Sequence, residues 1–183
     1  MFLIQVPILT QNLLSGGATL RILVTFVRAM LLSGLSTSLL GLLALSGRKL
    51  SARLHSALDL CGRCNLDNGR FHADIGCDHA TLGIKIVQHG YSNKVISIDR
   101  CAAPLEAGKR NADAALGAET SSLDFRLGDG CDPLSRMDNV GVISICGMGV
   151  RTILDILSKR SPNIDIASEL GASHLVLQSV NPR

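Results

Sequence analysis

Two acids, a glycine and a histidine fall within six positions in the stretch FHADIGCDHATLG, residues 71–83: Asp74, Gly76, Asp78 and His79. The apolar lead-in, the glycine and the apolar spacing that follows predict a strand, a tight turn and a helix, the arrangement that nucleotide-binding folds place beneath a ligand. A second acid, Asp99, stands 23 residues after Gly76 and is followed by Arg100. An acid at roughly that offset accepts two hydrogen bonds from the vicinal hydroxyls of a bound ribose. A dinucleotide fingerprint, G-x-G-x-x-G, counted from Gly76, needs glycine at positions 78 and 81 so that the backbone can approach a pyrophosphate. This chain has Asp78 and Thr81 there. A carboxylate repels a pyrophosphate but attracts a sulfonium or an ammonium. The stretch therefore fits S-adenosylmethionine, which carries both cations and no phosphate, and argues against NAD. Two further groups belong with it: Gly128, Asp129 and Gly130, and Gly147, Met148 and Gly149.

These residues need a scaffold that brings them together, and the pattern from Leu50 supplies one. LSARLHSALDL puts Leu50, Leu54, Ala57 and Leu58 on one helical face. RFHAD, KVISID, LDFRL, NVGVISICG and ASHLVLQ read as strands. ATLGIKIVQHG, APLEAGKRNADAAL and VRTILDILSKR read as helices between them, the first closed by Gly90 and the second opened near Pro104. Regular alternation of strand and helix predicts an α/β protein, a Rossmann-like, doubly wound and mostly parallel sheet with helices on both faces. In such a sheet the ligand lies beyond the carboxyl ends of the strands, where strand order reverses. All the residues singled out above fall at those ends.

The first 49 residues differ in kind. No Asp or Glu occurs before Asp59, and Arg21, Arg28, Arg48 and Lys49 precede Leu50. Removing those four from the 18 Lys and Arg leaves 14 against 15 acids, so residues 50–183 carry a net charge of −1. Overall charge is thus no argument for nucleic-acid binding. The acid-free, Leu- and Ser-rich start reads as a leader that directs the chain to an organelle, mitochondrion or plastid. Ala29 to Gly47 is uncharged over a length that could suit a membrane anchor, but four Ser, one Thr and three Gly make it a weak span. The expected organisation is a leader or disordered apolar segment at 1–49 and a ligand-binding domain at 50–183.

Six cysteines follow: Cys61, Cys64, Cys77, Cys101, Cys131 and Cys146. Cys61 and Cys64 form CGRC, half of a zinc site, and no second pair completes it. No metal is expected, and the thiols are read as small core residues in a reducing compartment.

Taken in order, LSARLHSAL, ADIGCDHATLG, RLGDG, ICGMG and LVLQ resemble the bacterial tRNA (adenine-22-N1)-methyltransferase family, TrmK. The resemblance runs from Leu50 to about Arg183. It implies a class I methyltransferase using S-adenosylmethionine to methylate N1 of an adenine in tRNA. Cys77 stands where the family has a small hydroxyl residue, Val150 where it has a last glycine, and Ser179 where it has proline. The family also continues past this point with further strands and a helical extension, so the domain is expected to be truncated at its C-terminus.

The resemblance and the chemistry together assign roles. Adenine N1 attacks through an in-plane lone pair and needs no base, so catalysis is positioning plus stabilisation of the cationic product ring. Asp78, Gly147 and Met148 are the expected catalytic group: Asp78 as carboxylate, Gly147 and Met148 as floor under the methyl. Cofactor binding is expected of Arg53, Asp74, Gly76, Asp78, His79, Asp99, Arg100, Gly128, Asp129, Gly130, Gly147, Met148 and Gly149. Asp129 is expected to receive the cofactor's adenine amino group. A cofactor-binding protein without catalysis, a small-molecule methyltransferase and a membrane-anchored module are the alternatives. Neither physics nor pattern sets the oligomeric state.

Overall fold

Short, near-continuous apolar runs form the central strands, and each intervening amphipathic segment returns the chain across one face. A computed structural model describes residues 3–7, 50–64, 69–159 and 166–180. All of them belong to one unit, made of Met1–Leu9 and Arg48–Arg183. In chain order the strands are β1 Leu3–Pro7, β2 Phe71–Ile75, β3 Val95–Asp99, β4 Leu123–Leu127, β5 Val140–Met148 and β6 His174–Ser179. The helices are α1 Ala52–Arg63, α2 Thr81–Gln88, α3 Ala102–Leu116, α4 Val150–Ser158 and α5 Ile166–Leu170.

The sheet order is β1-β6-β5-β2-β3-β4. Five strands, β6 to β4, run parallel, and β1 joins antiparallel to β6. After β2 the chain adds β3 and β4 on one side, then crosses back to add β5 and β6 on the other. The order therefore reverses between β2 and β5. The predicted doubly wound sheet is present, and so are its five strands.

β1 was not expected. Its residues lie in the segment read as outside the fold, yet Leu3 pairs with Gln178 and Pro7 with His174. Residues 8–49, which hold the rest of the expected leader and the stretch Ala29–Gly47, lie outside the described residues. No described helix is long and apolar enough to cross a membrane.

Both faces of the sheet are covered. Ile153 and Ile156 of α4 and Leu170 of α5 pack on Ile75, Ile98, Ile143 and Ile145. On the other face Leu58 and Cys61 of α1, Leu82 and Ile86 of α2 and Ala112 of α3 pack on Val95, Val142 and Val176. Ser51 caps α1, its hydroxyl accepting from the Leu54 N–H at 3.3 Å. α2 has no such cap: it opens at Ala80 with φ 58° and no side-chain bond there. The Gly83 backbone in its first turn faces the buried Asp74 carboxylate of β2 and favours its charged form.

Candidate functional site

The reversal of strand order opens a cleft of about 910 Å³ at the carboxyl ends of β2 and β5. Gly76 follows β2 with φ +71°, and a Cβ built on it would lie 2.0 Å from Met148 Cε. Glycine is required twice over there: by the left-handed backbone and by the methionine that rests on it. The turn is tied to the next strand, with Gly76 N and Cys77 N donating to Ile98 O at 2.8 and 3.0 Å.

Asp78 follows at φ 50° and Ala80 at φ 58°. Two non-glycine residues in the left-handed region within three positions mark a strained turn. Its shape is set by Asp99: Oδ2 accepts from Asp78 N at 3.0 Å and Oδ1 from Cys101 N at 2.9 Å. Each carboxylate oxygen of Asp99 is thus oriented by one amide and keeps a lone-pair direction for a second donor. Asp78 itself is exposed, with His79 Nδ1 2.8 Å from its Oδ1.

Asp74, expected among the cofactor-binding residues, lines the cleft from below. It is only 3 % exposed and lies at the cleft floor. Ser144 Oγ donates to Asp74 Oδ1 at 2.8 Å and lies 2.9 Å from His72 Nε2. Strand register makes this row: Asp74 stands opposite Ser144 on β5 and Ser97 on β3. Burial raises the Asp74 pKa from 3.8 to about 6, against the Ser144 hydroxyl, which lowers it. Burial lowers the His72 pKa to about 3. Ser97 Oγ, in the same row, has no partner among the described residues.

The far wall comes from β6, α4 and the loop after β4. The buried Gln178 amide oxygen accepts from Gly147 N at 3.0 Å, and Val180 N donates to Met148 O at 2.9 Å. These bonds hold Gly147 at φ +77°. Lys159 Nζ lies 2.8 Å from Asp129 Oδ2 and 2.7 Å from Asp132 Oδ2. The Lys159 hydrogen bond holds the Asp129 carboxyl below the usual carboxylate range.

The cleft wall includes Arg53, Asp74, Gly76, Asp78, Asp99, Arg100, Gly128, Asp129, Gly130, Gly147 and Met148. His79 and Gly149 do not line it. The His79 ring turns to the Asp78 carboxylate, and Gly149 serves as the extended N-cap of α4, with φ −66°. Gln178, Thr152, Asp155 and Lys159 line it without having been singled out as site residues. Gln178 was visible only as part of LVLQ, while Thr152 and Asp155 of α4 and Lys159 at its C-cap lie off the apolar stripe of that helix. Among the described residues no group of three His, Cys, Asp or Glu could hold a metal. Burial pushes the thiols of Cys61, Cys77 and Cys146 well above their ordinary range, as for core residues rather than nucleophiles.

The profile of a family described as methyltransferase domain matches residues 50–183. No curated protein sequence matches the chain. Among solved structures, a protein of the NADB-Rossmann superfamily from Streptococcus agalactiae is 32% identical, with TM-score 0.59, over 72% of this chain and 53% of that one. M. capricolum TrmK in complex with S-adenosyl-homocysteine is 26% identical, TM-score 0.57, over 74% and 54%. The B. subtilis m1A22 tRNA methyltransferase TrmK is 26% identical, TM-score 0.56, over 70% and 50%. The chain spans about half the length of each of these structures.

Proposed function

The chain belongs to the methyltransferase-domain family, and on that premise we propose that it binds S-adenosylmethionine in the switch-point cleft and transfers its methyl to N1 of an adenine in tRNA. The observation that carries the cofactor half is the pairing of a glycine turn with acids where a phosphate cradle would need bare backbone. Asp78 stands at the mouth and Asp99, oriented by two amides, stands beside it. The tRNA half is supported by the likeness to the two TrmK structures.

When bound, the cofactor supplies an electrophilic methyl on a sulfonium. The residues of this chain do the rest. Asp99 offers its two remaining lone-pair directions to the ribose hydroxyls. Gly147, at positive φ with open space where a Cβ would stand, leaves room at the switch point, and Met148, resting on Gly76, would face the reacting end of the cofactor. Gln178 and Val180 fix that segment, so the target base meets a floor of set height. The exposed Asp78 carboxylate on the cleft wall would stabilise positive charge developing on the base. No proton needs to be removed before attack, because adenine N1 carries a free lone pair.

The test uses the chain as it stands with radiolabelled S-adenosylmethionine. An unmodified tRNA bearing adenine at the family's target position should take up label, and the same tRNA with guanine there should not. Binding of S-adenosylmethionine by titration calorimetry without label transfer to any tRNA would retain the fold-level reading and overturn the tRNA one.

A further inference from the structure

Beyond Asp99, the cleft ends in a cation held between two acids. The loop that carries Asp129 is held through its two glycines. Gly128 N donates to the backbone oxygen of Asp99 at 2.9 Å. A Cβ on Gly128 would lie 2.2 Å from Pro133 Cγ, and one on Gly130, at φ +58°, would lie 3.2 Å from Ile156 Cγ2. Ile156 and Lys159 are three positions apart at the end of α4, so they emerge on one side of the helix. The seat of the loop on Ile156 therefore sets Asp129 beside Lys159, independently of their charge.

The pair is only partly used. The Lys159 ammonium has three N–H groups, of which two face Asp129 Oδ2 and Asp132 Oδ2. Asp129 Oδ1 accepts no hydrogen bond among the described residues. Among the described residues, one donor and one acceptor thus stand unpaired side by side on the wall of the cleft that also holds Asp99. Both groups are half-exposed, so neither is spent on holding the fold.

Given the cofactor proposed above, we propose that Lys159 is a specificity-determining residue that reads the cofactor's adenine together with Asp129. Asp129 accepts from the exocyclic amino group, and Lys159 donates to the ring nitrogen next to it. Adenine presents a donor beside an acceptor. Hypoxanthine presents a carbonyl beside an N–H, the reverse at both positions, and would set its oxygen against the Asp129 carboxylate. A site whose polar groups are left unmatched rejects the wrong base more strongly than a shape mismatch does.

Titration calorimetry of the full chain with S-adenosylhomocysteine and with S-inosylhomocysteine tests this. The two ligands carry the same charges, so any general effect of removing a cation cancels in the ratio of their affinities. The wild-type chain should prefer the adenosyl ligand. Lys159→Met should weaken the adenosyl ligand about tenfold and the inosyl ligand little, shrinking the preference by about tenfold. Lys159→Arg keeps donors and should keep most of the preference. Asp132→Asn leaves the Lys159–Asp129 pair in place and should keep all of it. A Lys159→Met chain with undiminished preference and an unchanged far-UV spectrum makes the pair a surface ion pair only and overturns the assignment. A wild-type chain that binds neither ligand overturns the cofactor reading itself, a result separable from the first.

Discussion

Replacing Asp74 by Asn should change the pH dependence of stability by an amount the buried row fixes in advance. The folded-state pKa of Asp74 is raised from 3.8 to about 6 by burial. Below pH 4 the carboxyl is protonated in both folded and unfolded chains. As pH rises through 6 the folded chain must ionise a buried group that the unfolded chain ionised earlier in water. A raised carboxyl therefore contributes stability that is present below its unfolded pKa and is lost as pH rises through its folded one. The loss is about 3 kcal/mol for a shift of this size. His72 works in the opposite sense, since its folded pKa is lowered to about 3. Its contribution is present above the unfolded value near 6.5 and is lost as pH falls. In the wild-type chain the two slopes oppose each other between pH 4 and 6 and leave a plateau. Asp74→Asn removes one of them. Relative to wild type, the variant should gain about 3 kcal/mol between pH 4 and pH 7, and by itself should lose stability on acidification below pH 6.5. Urea denaturation followed by circular dichroism at half-unit pH steps measures both curves. A wild-type-minus-variant difference that stays constant across that range refutes the assignment of a raised pKa to Asp74.

Asp99→Ala should weaken S-adenosylmethionine binding by about 1.5–3 kcal/mol, the range for hydrogen bonds to a charged group, and calorimetric affinity equal to wild type would free the ribose from this acid. Asp78→Gly should separate stability from function: it relieves a left-handed residue, worth about 1 kcal/mol in a thermal melt, while methyl transfer to tRNA falls. Gly76→Ala forces a side chain into φ +71° and into Met148, and should cost at least about 1–2 kcal/mol by urea denaturation. Adding Met148→Ala should return only the packing part of that loss, leaving the backbone part.

The strands of the parallel sheet were legible because burial on both faces forces near-continuous apolar runs, as in VISID and VGVISICG. The ends of those runs located Gly76, Asp99, Asp129 and Met148, since a polar or glycine residue after such a run marks where the chain leaves the core. What the pattern hid was distance. Gln178 and Gly147 meet across 31 positions, and Lys159 and Asp129 across 30, through helix and sheet geometry that local spacing does not encode. Asp74 was legible as an acid at a strand end but not as a buried one. Its partner Ser144 is one of several small polar residues in strands, and only register shows that the two are opposite. β1 was missed for a further reason: LIQVP alternates too briefly to be told from the apolar residues around it.

The pairing of β1 with β6 also orders events in time. Ribosomes add roughly 5–20 residues per second. Leu3–Pro7 is made before every other described element and waits through their synthesis before His174–Ser179 exists to receive it. Joining partners so far apart in sequence carries a large loop-closure entropy, and such contacts form late. In a newly made chain β6 is therefore an open sheet edge for as long as β1 has not docked, with its backbone amides available to any extended segment nearby. Until β1 docks, the β6 edge can take an extended strand from this chain or from another, and the β1–β6 hydrogen bonds decide that competition.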